Sequence, residues 1–304
     1  MSTHQPPPFF TDVPVFGALS KSEINATLRA MHDASVQPDD TEEKLEGIRD
    51  WVGLGVPEAW QHTSNQIGYF APFPEGTTDP QPVHYPAGIK TDTCLQETRI
   101  NIHLDRLHAH KYPGSGLHQV MLIFKAQNQL PNAPEAISFS QTYRVRDGQS
   151  AGVTGYPLCI GLSVAKLGAA FQFLTVNVCN SSDKMMLVRL DSPAFTGGLS
   201  LLTTAQPALK PFTDLTLGLA RDFLTRNQNR SVQDCYLGLD FTSTPFGARL
   251  AVGNYIAVQV PSESDLRWEE WEYHPQNGVI CRKQDGKGPL EYNYLVFRVT
   301  RYVQ

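Results

Sequence analysis

Residues Ile137-Ser-Phe-Ser-Gln-Thr-Tyr-Arg-Val-Arg146 alternate between apolar and polar with a period of two, and a pleated strand is the backbone form that satisfies such a pattern. Ile137, Phe139, Tyr143 and Val145 share one face of that strand, and Ser138, Ser140, Thr142, Arg144 and Arg146 share the other. This is the mark of a sheet that is wet on one side. Similar strand candidates lie at 119–127, 156–164, 171–179, 185–191, 235–242, 249–260, 266–273, 278–283 and 292–303. Turn residues such as Asp147-Gly148 and Asp285-Gly-Lys-Gly288 separate them.

One segment breaks this period. Across 211–226, Phe212, Leu215, Leu219 and Phe223 form a helical stripe, with Asp214 in the first turn and Arg226 in the last, as the helix dipole favours. About ten strands and one inserted helix are incompatible with a parallel doubly wound sheet. The expected fold is therefore mainly β, an antiparallel β-sandwich or jelly roll over residues 95–304.

Residues 1–94 read as an acidic, helical and proline-rich extension. Ser20-Lys-Ser-Glu23 has the form of a capping box, followed by Ile24, Leu28 and Met31 at helical spacing. A second helix start lies at Asp40 or Thr41, with Leu45, Ile48 and Val52 as its stripe. Residues 65–92 carry too many prolines for a helix or an inner strand, so an extended connector anchored by Tyr69, Phe70 and Phe73 is expected.

Charge is unevenly placed. The chain carries a formal −5, yet residues 1–60 hold ten acids against four bases, or −6, leaving the rest about neutral. No basic stripe is present to neutralise phosphates, so nucleic acid is not an expected partner. A protein partner with a basic surface could meet the acidic segment. No run of eighteen apolar residues exists, so transmembrane insertion is not expected. Met1–Phe10 lacks a basic start followed by an apolar core, and the five cysteines are odd in number, widely spaced and without a Cys-x-x-Cys pair. Together these point to a cytoplasmic chain with small buried thiols.

The densest chemistry lies between Asn101 and His118, which holds His103, Asp105, His108, His110 and His118. In an extended strand Ile100, Ile102 and Leu104 face one way, and His103 and Asp105 face the other. A His-x-Asp pair on one strand face is the spacing of two-His-one-carboxylate iron sites in jelly-roll oxygenases. His274 would be the distant third ligand, and Arg282 could meet a carboxylate co-substrate. The cofactor would be Fe(II) or another divalent metal. His108-Ala-His110 lacks the glutamate that a cupin-like site wants shortly afterwards. The glycine-rich stretch that follows reads instead as a polar binding loop carrying His108, His110, Ser115 and His118.

Gly148-Gln-Ser-Ala-Gly152 matches the nucleophile-elbow pattern, and Ser150, Asp240 and His274 follow in the order of a hydrolase triad. The elbow needs a helix after it, and Val153-Thr-Gly-Tyr-Pro157 does not form one, so a glycine-rich hairpin turn fits better. Acids in the expected loops are too isolated for calcium, and no phosphate-cradling loop or dinucleotide fingerprint occurs. Trp268, Trp271 and Tyr273 form an aromatic-acidic strand suited to an interface. The odd step between the two tryptophans implies one in the core and one on the surface. The function these features suggest is a non-enzymatic protein-interaction or ligand-binding module acting within a complex. The alternative is a metal-dependent enzyme using His103, Asp105 and His274.

Overall fold

A computed structural model describes residues 14–35, 57–114, 116–128, 136–178, 229–241, 247–283 and 288–303. Among the described residues there are one α-helix, α1 (Lys21–Ser35), and fourteen strands. These are β1 (Ser64–Phe70), β2 (Gln81–Pro82), β3 (Arg99–Ala109), β4 (Leu117–Asn128), β5 (Ala136–Arg146), β6 (Gln149–Ser150), β7 (Tyr156–Ser163), β8 (Gly168–Asn177), β9 (Arg230–Asp240), β10 (Ala248–Arg249), β11 (Gly253–Val260), β12 (Trp271–His274), β13 (Val279–Arg282) and β14 (Tyr294–Arg301). The expected helix over 211–226, the second N-terminal helix and the strand at 185–191 lie outside the described residues.

Two antiparallel sheets stack face to face. The larger has the order β1-β11-β14-β3-β6, with β7 also paired to β3. The second runs β10-β9-β8-β4-β5, in which only the short β9–β10 pair is parallel. Alternation puts Tyr255 and Ala257 of β11, and Leu295, Phe297 and Val299 of β14, on the inner face. There they meet Phe124, Phe171 and Phe173 of the second sheet. Phe297 lies 4.6 Å from Phe173, 6.2 Å from Phe171 and 5.4 Å from Tyr255, ring centre to ring centre. This aromatic contact is the middle of the sandwich.

The other face of the larger sheet is also covered. Ile256, Val258 and Val260 of β11, with Tyr294 and Val296 of β14, join a second apolar cluster with Phe70, Trp268, Trp271 and Ile280. A small sheet, β13-β12-β2, lies over that face. The protein therefore has three layers at this end, and β11 is buried along its whole length. A sheet wet on one side is seen at β5, where Tyr143 and Val145 are buried while Arg144 and Arg146 are exposed. In β4 and β8 both faces are buried.

The N-terminal part joins the main core. The capping box forms as expected, with Ser20 N–H donating to Glu23 Oε2 at 3.0 Å and Glu23 N–H donating to Ser20 Oγ at 3.4 Å. Ile24 and Leu28 of α1 pack into the core beside Phe16, which stacks on Trp60 at 4.8 Å. Residues 65–70, the start of the expected connector, belong to β1, the edge strand of the larger sheet, with Tyr69 and Phe70 buried. The prolines begin only after that strand, so its backbone donors stay available to β11.

Buried amides tie the two sheets together. Gln259 Nε2 donates to Val232 O at 2.8 Å and to His62 O at 2.6 Å, and Gln259 Oε1 accepts from Asn293 Nδ2 at 3.0 Å. Asn293 also bonds both backbone groups of Lys111. Buried polar groups are tolerated when paired in this way.

Phe297→Ala should lower unfolding free energy by about 3–5 kcal/mol, because it empties the centre of the aromatic contact. Urea unfolding followed by far-ultraviolet circular dichroism checks this. A change under about 1 kcal/mol would mean the two sheets do not meet there.

Candidate functional site

The site is built on an irregularity in β3. In its pairing with β14, Val296 lies opposite Arg106 and Phe297 opposite Leu104, so Asp105 is an extra residue with no partner. An extra residue changes which face the following side chains take. Ile100, Ile102 and Leu104 point into the core before it, and Leu107 and Ala109 do so after it. His103, Arg106 and His108 are thereby collected on the outer face. The Asp105 carboxylate closes the bulge by accepting Gly155 N–H at 2.9 Å and Arg298 Nη2 at 3.2 Å. Burial raises its pKa, while Arg298, the Gly155 N–H and His103 act in the opposite direction.

Around that bulge the outer face is a hydrogen-bonded lattice. Arg106 donates from Nη1 to Ser150 Oγ at 2.8 Å and from Nη2 to Asn277 O at 3.1 Å. Ser150 Oγ lies 3.1 Å from His108 Nδ1. A guanidinium can only donate, so Oγ accepts from Arg106 and keeps its own proton and a second lone pair for the imidazole. His108 stacks on Tyr294 at 4.6 Å. Burial, then His110 and Arg106, push its pKa down to about 4. His103 stands directly opposite Arg298, and its Nδ1 is buried without a hydrogen-bond partner. Burial and then Arg298 lower its pKa, against Asp105. His110 is likewise lowered, mainly by burial. Tyr273 of β12 stacks on Phe70 at 4.3 Å and completes the rim; burial raises its pKa, and Arg106, Asp105 and Arg298 all act on it.

The candidate constellations come apart in this arrangement. His274 bonds Glu272 on its own strand at 3.2 Å. It alternates with Tyr273, whose ring faces the larger sheet, so His274 is turned away from His103 and Asp105. Among the described residues no group of three or more His, Cys, Asp or Glu side chains could hold a metal ion. The Fe(II) or other divalent-metal site is thus not assembled by these three residues. Arg282 lies over the Trp271 ring at 5.2 Å. Asp240 ends β9 in the other sheet, opposite Gly168, so it does not complete a triad with Ser150. The true neighbours of Ser150 are Arg106 and His108, and its strand follows a turn at Asp147-Gly148.

The expected binding loop is shorter than it read. His108 belongs to β3 and His118 to β4, and Ser115 lies outside the described residues. His118 is only 4% exposed, because its Nε2 is 2.9 Å from Asp147 Oδ1. Asp147 also takes Lys111 Nζ at 2.9 Å and Tyr112 N–H at 3.0 Å. That cluster fixes the loop rather than presenting it. Trp268 and Trp271 are both buried, contrary to the one-in, one-out expectation. A 3-10 turn at Trp268–Glu270 interrupts the strand period and lets both rings reach the second cluster. Arg106, Arg298 and Gly155 had not been singled out. The signal for the first was the step of three between Leu104 and Leu107, which no regular strand allows.

Comparison with protein-family models, with curated proteins and with solved structures found no match for this chain.

His108 should titrate near pH 4 rather than at its ordinary value of 6.5, measured by imidazole proton shifts in nuclear magnetic resonance. The folded state disfavours the proton, so the unfolded chain takes it up first. Stability is accordingly lost as pH falls from 6.5 towards about 4, and His108→Gln should flatten that loss. A midpoint at or above 6.5 would contradict the burial of this ring.

Proposed function

We propose that the chain is a non-enzymatic binding module that recognises a protein partner within a complex, through the outer face of the larger sheet around Arg298. One observation carries this reading. The Arg298 side chain is 40% exposed, while one of its amino groups is held by Asp105, itself 15% exposed. A guanidinium fixed in this way presents its remaining donors in a set direction and loses little freedom on binding. Tyr273 and His103 flank it, and aromatic and arginine side chains are the residues that dominate protein interfaces. Arg298 suits a carboxylate-bearing surface on the partner.

The neutral imidazoles support the same reading. His103, His108 and His110 have lowered pKa values, so at neutral pH they act as uncharged hydrogen-bonding groups beside the arginines. Ser150 is held by a cation and by an imidazole whose pKa of about 4 makes it a weak base, which suits a fixed surface better than a nucleophile. The acidic excess of residues 1–60 is the second contact we assign, to a basic surface of the partner.

The chain expressed in its native host should elute from size exclusion well above its own 33.8 kDa. Arg298→Gln, which keeps a donor for Asp105 but removes the charge, should shift a large share of it to the free position. Elution of the unaltered chain at its own mass, with Arg298→Gln indistinguishable from it, would sink the proposal.

A further inference from the structure

A cleft of about 600 Å³ that does not include Arg298 is lined by Tyr69, Val83, Tyr85, Ile89 and Trp268, with His84, Gly88, Glu269 and Lys283 completing it. We propose that it binds a small molecule with a flat apolar body and an anionic head. The volume falls within the roughly 300–1,000 Å³ of small-molecule sites.

The walls are fixed and their polar atoms are already used. Trp268 Nε1 donates to Ile67 O at 2.8 Å, and its ring packs so tightly over Gly68 that a Cβ there would fall 2.7 Å from it. Tyr69 Oη donates to Val252 O at 2.8 Å and Tyr85 Oη to Leu266 O at 3.3 Å. Ring surface rather than hydroxyl or indole N–H is therefore what these residues offer a guest. The opposite wall is anchored by paired backbone bonds between Tyr69 and His84, both 2.8 Å, and by Arg249 Nη1 donating to Ile89 O at 2.7 Å. A cleft held from both sides needs little ordering to accept a ligand.

The mouth sets the head group. Lys283 Nζ donates to the Glu269 backbone oxygen at 2.7 Å, which positions the ammonium and leaves it two further protons to donate. His84 stands at the same exposed rim. The Glu269 carboxylate is also at the rim, on an exposed residue, whereas the ammonium is tethered. The tethered ammonium of Lys283 is the group at the opening that complements a sulfonate, carboxylate or phosphate.

The probe is 1-anilinonaphthalene-8-sulfonate, titrated into the folded full chain and followed by its fluorescence. The expected result is saturable binding to one site. Gly88→Leu fills the cleft without strain, because a Cβ at Gly88 meets only Tyr85 O, at 3.5 Å, and it should abolish that binding. Ile89→Trp should do the same by a different route. Lys283→Gln should weaken binding about fivefold, as for one exposed charge contact, and Glu269→Gln should leave it unchanged or tighten it. Leu117→Ser, which removes an exposed apolar side chain elsewhere, should have no effect. Non-saturable binding, binding that survives both filling variants, or binding lost with Leu117→Ser would overturn the site. Weakening by Glu269→Gln would overturn the anionic head.

Discussion

A single unpaired residue in β3 determines how the larger sheet divides its two faces. Without the bulge at Asp105, strict alternation from Ile100, Ile102 and Leu104 would carry Arg106 and His108 into the aromatic core and turn Leu107 outward. Burying a guanidinium there would cost several kcal/mol. The bulge avoids this by leaving Asp105 unpaired, and the Asp105 side chain holds it in place through Gly155 and Arg298. The polar outer face and the apolar inner face are consequences of the same local irregularity.

That division matters because the larger sheet is covered on both sides. Its inner face meets the second sheet through Phe297, Phe171 and Phe173, and its outer face meets the small sheet through Tyr294, Val296 and Trp268. Among the described residues, charged side chains of the outer face gather on β3 and the neighbouring end of β14. The arginines, the imidazoles and Tyr273 gather at this margin. A separate aromatic cleft is lined by Tyr69, Val83 and Trp268. Between the sandwich layers, Gln259 and Asn293 satisfy one another and nearby carbonyls, so this buried pair adds specificity of register.

The antiparallel sandwich was legible from the period of two, and nearly every strand candidate within the described residues is a strand. The capping box at Ser20 was equally legible, because its chemistry is local. What could not be read was set by contacts distant in sequence. Residues 65–70 looked like connector because prolines crowd the stretch after them, yet β11, almost two hundred residues later, takes them into an edge strand. The histidines of 103–118 are the dense feature of the sequence. Their grouping could not be read there, since His118 is tied to Asp147 and His274 to Glu272. The three-residue step from Leu104 to Leu107 was visible and marks the bulge. Its consequence, that Arg106 and His108 share a face with His103, required the partner strand to be known.

Cross-strand nuclear Overhauser contacts between β3 and β14 test this account most directly. The account predicts contacts pairing Arg106 with Val296 and Leu104 with Phe297, with no residue of β14 facing Asp105. An uninterrupted ladder in which Asp105 takes its own partner would contradict it, and the outer face built from Arg106, His108 and Arg298 would then not exist in this form.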